Sequence, residues 1–123
     1  MKYFTNYKCI EDIKRVYKEW AKKLHPDCGG DAEDFKKMFS EYEKAYEQFK
    51  NVHMNASGET YHKETKETAK QYADIINKVI HFEGITIEVI GSWVWLTGNT
   101  MMYKDQIKAA GFWWSKTKKS MVL

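Results

Sequence analysis

The sequence predicts an α+β fold with three parts: an N-terminal antiparallel helical hairpin, a third long helix and a small C-terminal ββαββ unit. Up to about residue 80, apolar residues recur at alternating spacings of three and four, which is typical of amphipathic helices. Beyond Gly84 they alternate at a spacing of two, which is typical of strands. The length of 123 residues, 43% of them hydrophobic, suffices for one globular domain or two very small ones.

The helical hairpin is predicted from two apolar stripes on either side of the single proline. The first helix must end near His25, because Pro26 lacks an amide proton and disfavours helical backbone at the residue before it. The second helix begins near Ala32, where the Asp31 carboxylate can cap the first turn. The stripes consist of Ile10, Ile13, Tyr17, Trp20, Ala21 and Leu24, and of Phe35, Met38, Phe39, Tyr42, Ala45, Tyr46 and Phe49.

A polar stretch separates this hairpin from the rest of the chain. Residues 53–68 have no firm apolar stripe and include the turn-like run 55–58, so we expect a linker between a unit at 1–52 and a second unit at 69–123. Periodicity returns with Ala69, Tyr72, Ala73 and Ile76. This pattern predicts a third long helix that begins between Lys63 and Thr68.

The C-terminal pattern predicts two hairpin-like strand pairs around a short helix. Alternation over residues 85–90, a Gly91-Ser92 turn and a second run at 93–97 predict a β-hairpin. Residues 103–110 are predicted as a short helix stopped by Gly111. The aromatic run 112–114 is expected to pair with residues 120–123, which completes the ββαββ unit.

Charge and hydropathy restrict the classes of protein. The net charge of +3 does not indicate a bulk polyanion binder, although residues 99–123 hold five lysines against Asp105 alone. The longest uncharged stretch, 89–103, is shorter than the roughly 20 apolar residues that span a bilayer, and the N-terminus has no signal-peptide pattern. We therefore expect a cytoplasmic protein without membrane contact, in which Cys9 and Cys28 are free thiols.

The tripeptide His25-Pro26-Asp27 lies between the two predicted helices and is followed by Gly29-Gly30-Asp31. This arrangement resembles the J-domain of the Hsp40 co-chaperones over about residues 3–50. The HPD-x-GGD form is similar to compact J-domains of viral, phage and mobile-element proteins. The chain departs from the usual pattern because the family's first helix is shortened to about residues 3–7. Its fourth helix has no counterpart unless the helix near Ala69 replaces it.

A second resemblance covers the C-terminal half. Residues 87–95, with Lys104-Asp105 and the lysines of 116–119, look like the tail of short J-domain proteins from Gram-positive bacteria and their phages. Together, the two resemblances imply a non-enzymatic protein that binds the ATP form of a DnaK-type Hsp70 and stimulates its ATP hydrolysis. The C-terminal unit would bind a client or target protein.

The resemblance also implies roles for individual residues. Pro26 would fix the loop, the Asp27 carboxylate would meet a basic site on the chaperone, and the His25 ring would supply a hydrogen bond. Four residues of the first helix would contribute to the same contact: Lys14, Tyr17, Lys18 and Lys22. The three lysines would lie on or near the solvent side of this helix, with Arg15 and Lys23 beside them.

Other readings stay open at this point. The HPD tripeptide can instead be an ordinary helix terminator, and the lysines can simply form the solvated face of a helix. Core packing can likewise explain most of the tryptophans. A different function is a phage-type accessory protein whose C-terminal unit binds nucleic acid or inhibits a host protein such as a defence nuclease. Its candidate residues are Trp93, Trp95, Lys104, Lys108, Trp114, Lys116, Lys118 and Lys119. The sequence contains no motif for a metal, cofactor or catalytic site.

Overall fold

The computed structural model describes residues 2–55, 57–90, 93–115 and 120–122, and for residues 90, 93, 114, 115 and 120–122 it describes the backbone only. The predicted α+β class is confirmed. In chain order the elements are α1 (Ile10–Leu24), a 3-10 turn (Pro26–Cys28), α2 (Ala32–Phe49), β1 (Val52–Met54), β2 (Thr60–His62), α3 (Ala69–Val79), β3 (Ile85–Ile90), β4 (Trp93–Gly98), α4 (Lys104–Ala109), β5 (Trp113–Ser115) and β6 (Ser120–Val122).

Helices α1 and α2 pack as the predicted antiparallel hairpin. The predicted ends near His25 and Ala32 are confirmed. Aromatic rings fill the interface: Tyr17 and Tyr42 are fully buried, and their ring centroids lie 4.3 Å apart. Both belong to the predicted apolar stripes, so the spacing of apolar residues in the sequence places the core of this hairpin.

The N-terminal segment crosses the hairpin without forming a helix. Residues 2–9 are irregular, so the shortened helix expected at residues 3–7 is not present. Instead, the Glu41 carboxylate accepts hydrogen bonds from the amides of Tyr3 and Phe4, whose side chains are buried. The Trp20 indole donates to the Tyr3 carbonyl oxygen at 3.0 Å. Side-chain bonds therefore satisfy backbone groups that a helix would pair internally.

The stretch expected as a linker contains a short antiparallel hairpin, β1–β2. The sequence shows no alternation there because all three residues of β2 are exposed. Glu11 of α1 holds the hairpin in place: its carboxylate accepts from the Met54 amide and lies 3.2 Å from Nδ1 of His53. The buried polar contacts of Glu11 therefore attach this hairpin to α1, whereas apolar stripes attach other elements of the fold.

Helix α3 lies against both helices of the hairpin. It begins at Ala69, just beyond the predicted region, because Thr68 and Gln71 form a capping box. The Tyr42 hydroxyl donates to the Ala69 carbonyl oxygen at 2.6 Å, and the Tyr17 hydroxyl donates to Asn77 at 2.8 Å. These bonds fix α3 across the hairpin.

The C-terminal unit is an antiparallel sheet in the order β3-β4-β6-β5, with α4 between β4 and β5 in the chain, as the ββαββ pattern predicts. The inward residues of β3 and β4 join the same buried cluster as the helices. Strand β3 forms one edge of the sheet and contacts α1. Within the described ranges, no helix is long and apolar enough to cross a membrane.

Candidate functional site

The loop between α1 and α2 is a compact hydrogen-bonded turn. His25 leaves the helix with extended backbone, as expected before a proline, while its amide still donates to the Ala21 carbonyl oxygen at 2.9 Å. The His25 carbonyl oxygen then accepts from the amides of Cys28 and Gly30 at 2.9 and 3.0 Å. One carbonyl therefore organises the whole loop.

The His25 side chain caps this turn. Its Nδ1 accepts a hydrogen bond from the Asp27 amide at 3.1 Å, so the proton of the neutral ring is on Nε2. The ring packs edge-on against Phe35 of α2, with centroids 5.0 Å apart, and the side chain is largely buried. His25 therefore holds the loop in shape and ties it to α2.

Two glycines and an aspartate complete the loop. Gly29 has a φ of 83°, a conformation that side chains with a Cβ rarely adopt. A Cβ at Gly30 would overlap the backbone carbonyl of Leu24, so only glycine fits there. The Asp31 carboxylate then accepts from the amides of Glu33 and Asp34 and starts α2. Each position of the Gly-Gly-Asp run thus has a structural reason.

Asp27 is the exception, because its carboxylate is not needed to build the loop. The side chain is 66% exposed, and its Oδ2 atom is 3.8 Å from His25 Nδ1, beyond hydrogen-bond distance. Pro26 beside it is also exposed and sets the backbone dihedral of the turn. The loop therefore presents a proline ring and a carboxylate on a rigid support.

The lysines expected on the solvent side of α1 do not all lie there. Lys14 is buried, forms an ion pair of 2.9 Å with Glu67, and lies over the Tyr72 ring. Tyr17 is also buried, and Lys18 is only 12% exposed because its Nζ donates to the Ile87 carbonyl oxygen. The expected solvent placement is wrong for Lys14, which α3 and the segment before it cover, and largely wrong for Lys18, which lies against strand β3.

Two cations of α1 are exposed, one in its first half and one near its end. Lys22 is half-buried and Lys23 is exposed. Arg15 is about half exposed, and its Nε donates to the Val89 carbonyl oxygen at 3.1 Å. The sequence places Arg15 and Lys23 only beside the expected contact lysines of α1, whereas in the structure these two are the exposed cations of the helix.

The C-terminal candidates are brought together only in part. Lys104 and Lys108 are exposed and four residues apart on α4, while Trp95 is half-buried. Trp113, outside the predicted set, is 51% exposed. The side chains of Trp93 and Trp114, and residues 116–119 with Lys116, Lys118 and Lys119, lie outside the described part of the chain.

The sequence pattern does not predict one buried row of polar side chains, Glu11, His53 and Thr65. His53 lies between the Glu11 carboxylate, 3.2 Å from Nδ1, and the Thr65 hydroxyl, 2.9 Å from Nε2. Thr65, His53 and Glu11 follow the order of a nucleophile, a base and an acid in a catalytic triad. However, Nε2 of His53 also faces the Lys63 carbonyl oxygen at 3.0 Å and must donate its proton to that oxygen. The Thr65 hydroxyl donates to the Lys50 carbonyl oxygen. The row therefore lacks the free ring nitrogen that a general base needs.

The loop thus offers an exposed carboxylate that caps no helix, and it follows closely in sequence on the lysines that end α1. A carboxylate on a rigid turn can form a charge-assisted pair with a cationic group of another molecule. Among the described residues, no group of histidine, cysteine and acidic side chains could hold a metal ion. Compared with protein-family models, with curated proteins and with solved structures, the chain gives no match.

Proposed function

We propose that the protein is a J-domain-like co-chaperone that binds an Hsp70 through Pro26 and Asp27 and stimulates its ATP hydrolysis. The observation that carries the proposal is the Asp27 carboxylate, which is 66% exposed on a turn built by the residues around it. A side chain that the fold does not use, at the tip of a rigid helical hairpin, is well placed for a partner.

The rigidity of the loop supports the proposal energetically. The His25 cap, the left-handed Gly29 and the close approach at Gly30 fix the backbone before any partner arrives. Binding then avoids much of the ordering cost that a mobile loop would incur. A carboxylate held in this way can be recognised by a guanidinium or ammonium group with defined geometry.

The proposed contact surface is smaller than the resemblance implies. Lys14 and Tyr17 are buried against α3, and the Lys18 ammonium is hydrogen-bonded to a backbone carbonyl oxygen of β3. The contact is therefore formed by the loop and by the cations near the end of α1, Lys22 and Lys23. The sheet and α3 hold α1 in place behind this surface.

A binding titration tests the proposal. A bacterial Hsp70 loaded with ATP is titrated with the fluorescently labelled protein, and wild type is compared with Asp27→Asn. We expect binding to weaken at least tenfold, because loss of a desolvated charge pair costs about 2 kcal/mol or more. Glu33→Gln, which removes an exposed carboxylate from the first turn of α2, is the matched control and should bind like wild type. Equal binding by wild type and Asp27→Asn would contradict the proposal.

A second candidate function, binding of single-stranded nucleic acid by the C-terminal unit, has one favourable observation. Lys104 and Lys108 are exposed on α4, and Trp113 is half exposed at the start of β5. Exposed ammonium groups and an exposed aromatic ring in one unit suit phosphates and stacked bases. Tryptophan fluorescence should then be quenched by short oligonucleotides, with an effect that weakens steeply with salt. Absence of quenching at low salt would exclude this function.

A further inference from the structure

A groove runs along α1 on the side where Arg15 and Lys23 are accessible. It has a volume of about 390 Å³ and lies between the irregular N-terminal segment and the helix. We call it the Trp20 groove. Its lining residues include Lys2, Tyr3, Arg15, Val16, Glu19, Trp20 and Lys23.

The aromatic floor of the groove is fixed in place. The Trp20 indole donates to the Tyr3 carbonyl oxygen, and the two rings pack edge to face with centroids 4.9 Å apart. The amide of Tyr3 is in turn held by Glu41 at 2.8 Å. The floor is therefore pre-formed and partly apolar, which suits an inserted apolar side chain.

The rim of the groove is cationic. Lys2 lies over the Tyr3 ring at 5.4 Å and Lys23 over the Trp20 ring at 5.3 Å, so each ammonium is held at the edge of the floor. Arg15 is oriented by the Val89 carbonyl oxygen and by an ion pair of 3.4 Å with Asp12 just outside the groove, and remains about half exposed. Glu19 is the single carboxylate among the lining residues, against these three cations.

We propose that the Trp20 groove receives an acidic segment of the chaperone partner that carries one apolar side chain. This inference rests on the proposed function, because it assigns a second contact to the same partner. The groove lies along the helix that leads into the loop, and Trp20 is about 8 Å before His25 along the helix axis. Three cations around an apolar floor complement carboxylates around an apolar anchor.

The test compares two double charge reversals of equal net charge in the ATP hydrolysis assay. Lys2→Glu with Arg15→Glu alters the rim and leaves Lys23 of the proposed loop contact unchanged, while Lys37→Glu with Lys44→Glu alters exposed positions of α2 outside the groove. We expect the rim variant to raise the concentration for half-maximal stimulation about tenfold and to leave the maximal stimulation unchanged. The α2 variant should raise it less than threefold.

A third variant separates occupation of the groove from simple charge attraction. Val16→Arg fills the groove while adding a positive charge, so attraction alone predicts tighter binding and occupation predicts weaker binding. Thermal unfolding of each variant shows that it is folded at the assay temperature. Equal effects of the two double reversals, or tighter binding by Val16→Arg, would overturn the inference and leave the proposed function standing.

Two further outcomes have distinct meanings. If wild type does not stimulate the chaperone at all, the proposed function fails and the inference fails with it. If a labelled single-stranded oligonucleotide binds wild type and loses binding only in the rim variant, the groove takes nucleic acid and the acidic-segment proposal is overturned.

Discussion

The Tyr72 hydroxyl donates a hydrogen bond to the carbonyl oxygen of Lys14 at 2.8 Å, and the Lys14 ammonium lies 5.1 Å from the centroid of the same ring. This pair joins α3 to α1 from the inside of the fold. It explains why a lysine that the helical pattern assigned to a solvent face is buried. The ammonium is balanced by Glu67, which enters from the segment before α3.

Replacing Lys14 should therefore affect stability. Lys14→Ala removes the ion pair with Glu67 and the packing of the lysine stem, and we expect the free energy of unfolding to fall by about 1–2 kcal/mol. Lys14→Met keeps the stem and should cost less. Urea denaturation of both variants measures the difference. Unchanged stability in Lys14→Ala would show that this contact contributes nothing.

The loop glycines should differ in their tolerance of a side chain. Gly30→Ala places a Cβ against the Leu24 carbonyl, and we expect a loss of about 1–3 kcal/mol as the loop shifts. Gly29→Ala meets open space but keeps a positive φ, so it should cost about 1 kcal/mol. Gly58→Ala, also open and at a positive φ, is the matched control for Gly29. Chemical denaturation of the three variants should rank Gly30→Ala as the most destabilised.

Stability should fall at alkaline pH because of the buried tyrosines. Burial raises the pKa of Tyr17, Tyr42, Tyr46 and Tyr72 above the ordinary value. The unfolded chain ionises these groups near pH 10 while the folded protein keeps them neutral, so their contribution is present below pH 10 and is lost above it.

Between pH 9 and 11 the expected loss is about 1.4 kcal/mol for each such tyrosine, most of it above pH 10. Urea denaturation between pH 9 and 11 measures it, and Tyr42→Phe should show a smaller loss than wild type. A stability that stays level over this range would contradict the burial of these hydroxyl groups.

The two cysteines should react at different rates. Burial raises the pKa of the Cys9 thiol to about 11, and Cys9 is fully covered. Burial also raises the pKa of Cys28, which lies in the loop and is partly exposed. At pH 8, iodoacetamide should therefore modify Cys28 well before Cys9, and denaturation in urea should remove the difference. Equal rates in the folded protein would mean that the segment before α1 opens.

Sequence periodicity was sufficient to predict the helices and strands that bury one apolar face. Both helices of the hairpin, α3 and the strands of the C-terminal sheet follow from spacing, from Pro26 and from glycine positions. The β1–β2 hairpin did not, because β2 buries no side chain and β1 is held by the Glu11 carboxylate. A polar tertiary contact leaves no apolar period to detect.

The candidate site was also only partly predictable. The sequence located the loop and its cap, since Pro26, the glycines and Asp31 act through local backbone geometry. It could not place Lys14 and Lys18, because helical spacing shows that they avoid the α1–α2 interface but not that α3 covers Lys14 and strand β3 covers Lys18. The Lys18 bond to the Ile87 carbonyl oxygen joins residues 69 positions apart.

The central claim is that the exposed Asp27 carboxylate acts on a chaperone. Its most direct test is single-turnover ATP hydrolysis by a bacterial Hsp70, measured alone and with wild type, His25→Gln, Asp27→Asn or Glu33→Gln. We expect stimulation by wild type and Glu33→Gln, and none by Asp27→Asn, whose loop remains intact because the carboxylate makes no hydrogen bond within it. His25→Gln should also fail, because the cap on the Asp27 amide is lost. Full stimulation by Asp27→Asn, or none by wild type, would contradict the claim.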